Sequence, residues 1–171
     1  EEKNWEDHAN DKLRSALAEK YDLELEHVVL GNGSNEIIEL LCRCFLNEGA
    51  ALIAAEHAFV VYKLMATLFG ANYVEMPDPN FVHDLDAMAD AVTDETRLLF
   101  IANPNNPTGT IVDEETIDRF MAKVPEHVIV VFDEAYFEFV GDAPDTLKYV
   151  KEGRNVIVLR TFSKAYGLAG L

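Results

Sequence analysis

Val128-Ile129-Val130-Val131-Phe132-Asp133-Glu134-Ala135-Tyr136 decides the fold. Apolar, mostly β-branched residues run without polar alternation, which predicts a strand covered on both faces, as in a parallel sheet. Two carboxylates follow where that strand ends. Similar short runs lie on either side, at 28–30, 51–54, 73–76, 98–102 and 156–160. Helical patterns separate them, so the chain reads as α/β with parallel strands. One such pattern follows Ser34, with Ile37, Leu41 and Phe45 on one stripe and Gly49 marking its exit. A second runs from Phe59 to Phe69 and closes at Gly70. Asp113, Glu114 and Glu115 place acids in the first turn of a third. No repeat, low-complexity stretch or interdomain linker interrupts the series, and Pro77-Asp78-Pro79-Asn80 is a turn-rich loop.

The 171 residues, 49% apolar and 26% charged, suit one globular domain with a real core. Both ends look cut: the chain starts in a polar stretch without methionine and stops within an apolar, glycine-containing run, so a fragment is expected. No run of apolar residues is long enough to span a bilayer. Fourteen basic residues against 31 acidic ones leave a net charge of −17. Such a surface repels nucleic-acid backbones and anionic lipid, and neither partner is expected. Cys42 and Cys44 cannot build a disulfide framework, and two residues apart on a helix they make a poor metal pair. No metal is expected, and a reduced, cytoplasmic setting is.

In open α/β sheets, ligands bind beyond the carboxyl ends of the strands. Four such ends carry polar residues. Gly33-Ser34-Asn35 opens a helix with free N–H groups, which suits an anion, although taken alone Ser34 reads better as a helix cap. Residues 103–109, Asn-Pro-Asn-Asn-Pro-Thr-Gly, form a rigid turn with three clustered amides. Asp133 is placed to meet a cation; the rival reading, a magnesium-holding strand end of a nucleotide hydrolase, lacks its phosphate loop. Lys164 follows the last strand among Thr161, Ser163 and Tyr166, and alone it could be an ordinary surface lysine. In an apolar or cation-bearing pocket it would lose proton affinity and attack carbonyls. A Ser163–Lys164 hydrolytic pair is disfavoured, because adjacent residues point apart. Together the ends suit one ligand: a phosphate for the helix start, an aldehyde for the lysine, a ring nitrogen for the carboxylate, a ring hydroxyl for an amide or phenol.

The segments GNGSNEIIELLCRCF at 31–45, EHAFVVY at 56–62, NPNNPTG at 103–109, FDEAYFEF at 132–139 and RTFSKAYGLAGL at 160–171 carry a resemblance. The chain resembles the fold-type I pyridoxal-phosphate-dependent aminotransferases, in their histidinol-phosphate branch. That resemblance implies a three-layer α/β/α sandwich with a mostly parallel sheet. Residues 1–171 would be an incomplete cofactor-binding large domain, lacking the small domain and amino-terminal arm. It further implies that Lys164 carries pyridoxal 5'-phosphate and moves the substrate's α-proton, and that Asp133 pairs with the pyridine nitrogen. Asn106 and Tyr136 would bond the ring hydroxyl. Phe59 would stack on the ring, with core packing as the alternative. Gly33, Ser34, Asn35, Thr161 and Ser163 would form the phosphate cup. Trp5 stands where the family has a tyrosine that reaches the partner's cofactor, and the family's phosphate-binding arginine would lie just past Leu171. The implied activity is transamination between a small amino donor, histidinol phosphate, and 2-oxoglutarate in histidine biosynthesis, by a homodimer. An aromatic amino-acid aminotransferase, a decarboxylase of the same fold, or a domain that folds without turnover remain as alternatives.

Overall fold

The computed structural model describes the backbone of residues 5–169 and the side chains from Asn10 onward. Trp5 therefore has a described backbone only, and the stretch beyond Ala169 lies outside the described residues. The chain divides into two units, Glu1–Asn32 and Gly33–Leu171. The first holds helix α1 (Trp5–Tyr21) and a 3-10 turn at Leu25–His27. Within it, residues 28–30 do not form the expected strand. Their backbone is served otherwise: the Arg14 guanidinium donates to Val28 O at 2.9 Å and Leu25 O at 3.0 Å. Val29 is 71% exposed, whereas a strand of a covered sheet would be buried.

The second unit contains, in chain order, α2 (Gly33–Phe45), β1 (Ala51–Ala55), α3 (Val61–Leu68), β2 (Asn72–Met76), α4 (Leu85–Asp90), β3 (Thr96–Ala102), α5 (Glu114–Met121), β4 (Ile129–Asp133), α6 (Leu147–Lys151) and β5 (Val156–Leu159). All strand pairs are parallel, in the order β2-β1-β3-β4-β5. Strand alternation sorts side chains to two faces. Leu52, Ala54, Leu98, Phe100, Val131 and Leu159 pack with Ile38 and Cys42 of α2 and Tyr62 and Ala66 of α3. Ile53, Leu99, Ile101, Val130 and Phe132 pack with residues of α4, α5 and α6. This is the expected three-layer α/β/α arrangement. Each fully buried aliphatic or aromatic side chain contributes about 1.5–3 kcal/mol relative to exposure.

Local chemistry fixes the helix ends. The Asp113 carboxylate accepts from Thr116 N at 2.8 Å and caps α5, with Glu114 and Glu115 in its first turn. Gly70 takes φ +70° just after α3, which side-chain-bearing residues resist. The α2 stripe differs from expectation. Ile38, Leu41 and Cys42 are buried, Ile37 is half-buried, and Phe45 is 40% exposed. An i, i+4 row slants across a helix, so its ends leave the packed face.

Candidate functional site

The strand order reverses between β1 and β3, and polar residues follow the carboxyl ends of β1, β3, β4 and β5. Alternation along β4 sends Val131 and Asp133 toward the α2–α3 face. There the Tyr62 hydroxyl donates to Asp133 Oδ2 at 2.6 Å, and Ala135 N donates to Oδ1 at 3.2 Å. Asp133 is only 5% exposed. Burial pushes its carboxyl above the ordinary range, against the Tyr62 hydroxyl, the Ala135 N–H and the Lys164 charge. Burial also pushes the Tyr62 phenol well up, helped by the neighbouring Asp133 charge, so Tyr62 keeps its proton and donates.

Lys164 lies beyond β5 in a turn, with its ammonium 5.6 Å from the centre of the Tyr136 ring. Lys164 is exposed, with one aromatic face beside its ammonium, so the apolar pocket that would lower its proton affinity is not what surrounds it. Phe59 meets Tyr62 edge-on at 5.8 Å, and Tyr62 stacks on Phe100 at 4.4 Å. Phe59 is thus linked to Asp133 through Tyr62, and Lys164 lies against Tyr136.

Gly33 begins α2 at φ +70°, and a Cβ there would stand 3.9 Å from Ser163 Oγ. The helix start and the β5 exit loop are therefore neighbours. Within that loop Thr161 Oγ1 donates to Ser163 Oγ at 3.0 Å and accepts from Ser163 N at 3.1 Å. Ser34 and Asn35 follow in the first turn of α2, Asn35 exposed. Backbone N–H groups of a helix start beside two hydroxyls make an anion cradle.

The loop after β3 is pinned from several sides. The Asn103 side chain donates to Val112 O at 3.0 Å and accepts from Val112 N at 2.9 Å. Asn105 Nδ2 donates to His57 O at 2.8 Å and to Thr108 Oγ1 at 2.9 Å. Asn106, between these anchors, is half-buried, and its amide makes no hydrogen bond among the described residues. The amides of Asn103 and Asn105 thus serve the loop and its neighbour, whereas that of Asn106 does not.

Glu134 points elsewhere. Arg160 Nε and Nη2 both reach its Oε2 at 2.9 Å, and Thr146 donates to Oε1. This pair, Glu134 buried and Arg160 half-buried, ties the end of β4 to the end of β5. Beside the β1 exit, Asp78 accepts from the His57 backbone N at 3.3 Å, and its Oδ1 lies 2.7 Å from His57 Nδ1. Glu56, His57 and Asp78 bring their ligand atoms within 4.8 Å of one another, but His57 already engages both Asp78 oxygens. Two participants carry no role in the sequence reading. Tyr62 ends the EHAFVVY segment, and its spacing of three from Phe59 on a helix start is the signal that could have found it. Asp78 lies in a loop read only as a turn, and no local signal marks it.

No helix among the described residues is long and apolar enough to cross a membrane. Comparison with known proteins places this geometry. The chain is 58% identical over 168 residues to a histidinol-phosphate aminotransferase of Akkermansia muciniphila, covering 98% of this chain and 46% of that protein. It is 49% identical over 162 residues to histidinol-phosphate aminotransferase 1 of Idiomarina loihiensis, covering 93% of this chain and 44% of the relative. The chain spans about half the length of the curated relatives it matches. Among solved structures, the histidinol-phosphate aminotransferase of Sinorhizobium meliloti in complex with pyridoxal-5'-phosphate matches with a TM-score of 0.88 at 31% identity, covering 94% of this chain and 44% of that one. The family model for aminotransferase class I and II matches residues 6–171, and the chain belongs to that family.

Proposed function

We propose that this chain holds pyridoxal 5'-phosphate for transamination between histidinol phosphate and 2-oxoglutarate. The observation that carries the reading is Asp133: a buried carboxylate at the carboxyl end of β4, held by the Tyr62 hydroxyl, with Lys164 over the Tyr136 ring beyond the next strand. Its donor set fits the cofactor. Asp133 offers a protonated ring nitrogen its acceptor, Asn106 has an unengaged amide, and the cradle of Gly33, Ser34, Asn35, Thr161 and Ser163 accepts a phosphate. Bound there, the cofactor supplies an electron sink for the bond-breaking at the substrate's α-carbon.

The chain's own residues do the rest. Lys164, exposed and on a turn, would hold the cofactor by its aldehyde and would move a proton at the substrate's α-carbon. Asp133 holds the ring proton. Tyr136 and Asn106 donate to the ring hydroxyl, and Phe59 packs on the ring face. The names of the relatives support histidinol phosphate as the amino donor. The same reading takes the intact protein as a cytoplasmic homodimer acting on a small amino donor and a 2-oxo acid.

Borohydride treatment of the chain with pyridoxal phosphate should fix a pyridoxyl group on Lys164, located by peptide mass mapping. A label spread over surface lysines, or fixed elsewhere, refutes the assignment. Transfer of the amino group from histidinol phosphate to 2-oxoglutarate by the intact protein tests the substrate.

A further inference from the structure

Tyr62 is fully buried on α3, yet its hydroxyl reaches the end of β4. Its ring lies against Phe100, stacked at 4.4 Å and 19°, and meets Phe59 edge-on at 86°. Phenylalanine would fill that volume equally well, so packing does not account for the oxygen. Burying a hydroxyl is unfavourable unless it is bonded, and here its partner is the carboxylate 2.6 Å away. Asp133 Oδ1 receives only the longer bond from Ala135 N. Each carboxylate oxygen has two acceptor directions, so Asp133 keeps capacity for a further donor.

We propose that Tyr62 is a positioning residue: its hydroxyl fixes the plane of the Asp133 carboxylate and keeps it an anionic acceptor for a cationic ring N–H. The inference rests on the proposed cofactor reading, because it names what Asp133 faces. Two elements cooperate in it. The stacked Phe100 and edge-on Phe59 hold the phenol ring in place, and the hydroxyl then restrains rotation of Asp133 about its own side-chain bonds. Burial alone drives the carboxyl toward its neutral form, and a neutral acid cannot balance a cation. The hydroxyl favours the charged form, because a hydrogen bond to an ion is stronger than one to a neutral group. Lys164 acts in the same direction from farther away.

The test uses Tyr62→Phe in this chain, with retained folding checked by circular dichroism. In cofactor-free protein, carbon NMR titration of Asp133 should show proton affinity raised roughly ten- to a hundredfold over the parent. With pyridoxal phosphate, the variant should bind more weakly by about tenfold, and the pH midpoint of its visible absorption should move. If the parent takes no label at Lys164, the cofactor reading itself fails. If the parent is labelled and the variant matches it in titration, affinity and absorption, the role of Tyr62 fails alone. Should the variant not fold, the parent still decides. Its Tyr62 hydroxyl proton must give a downfield resonance that shifts as Asp133 titrates, and a resonance blind to that titration overturns the proposal.

Discussion

Replacing Arg160 with methionine removes a guanidinium while keeping most of its apolar stem. Glu134 is 3% exposed, and both Arg160 nitrogens that reach it converge on Oε2 at 2.9 Å. The variant leaves Oε2 buried without those donors, while Thr146 still serves Oε1. Breaking a buried pair by deleting one member costs about 3–5 kcal/mol. The retained Thr146 bond places the expectation at the lower end, about 3 kcal/mol, or roughly a hundredfold in the folding equilibrium. For a chain of this size that lowers Tm by about 6–12 °C. The pH dependence has a defined sign. Burial already raises the Glu134 carboxyl above its ordinary value despite Arg160, and losing the guanidinium raises it further. A carboxyl with a raised folded-state pKa takes up a proton on folding between its two pKa values, so stability increases as pH falls through that window. The deficit of the variant relative to the parent should therefore shrink between pH 7 and pH 5. Urea unfolding of both proteins at the two pH values measures it. A deficit below about 1 kcal/mol at pH 7, or one unchanged at pH 5, refutes the reasoning.

Asp113→Ala removes the α5 cap and should destabilise the chain by about 1 kcal/mol in the same urea assay; an unchanged midpoint would show that the cap contributes nothing. Burial pushes the Cys42 thiol up to about 12, while Cys44 is exposed. A thiol reagent at pH 8 should modify one cysteine quickly and the second only on unfolding, and rapid modification of both contradicts the burial. The hydrogen bond that Asp78 accepts from the His57 ring raises the imidazole above its ordinary value, so proton NMR of Asp78→Asn should show it lowered. The stabilisation from that pairing is present at low pH and lost as pH rises through the folded-state value. A His57 titration identical in both proteins breaks the argument.

The sheet was legible because covered parallel strands are continuous apolar runs, and five of the six expected strands form one sheet. Residues 28–30 have the same composition, but a run that short depends on a neighbour, and here Arg14 meets its backbone instead. The limits of the Ile37–Phe45 stripe were invisible for a related reason: its slant becomes clear only once the packed face is known. At the site, the positions of Asp133, Tyr136 and Lys164 were readable because strand ends mark ligand positions in such sheets, and the helix start at Gly33 was readable from its own Gly-Ser opening, although the strand expected before it does not form. The buried partner Tyr62 was not, since α3 and β4 meet only through tertiary packing. Nor was the division among the asparagines of the β3 exit, where Asn103 and Asn105 hold the loop and Asn106 has its amide unengaged.

The strand order also governs how the sheet can come into being. Every pairing is parallel, so no two strands of this sheet are joined by a hairpin. The shortest closure joins Ala51 to Asn72 and must enclose α3, while Ala51 meets Thr96 only after two further elements have been made. Loop-closure entropy is spent before any of these ladders returns a hydrogen bond. Helices such as α2 and α5 can flicker into existence alone in well under a millisecond, whereas the ladders must wait for distant segments to meet. During that delay the apolar runs of β3 and β4 are accessible to other chains, and refolding yield should fall as protein concentration rises.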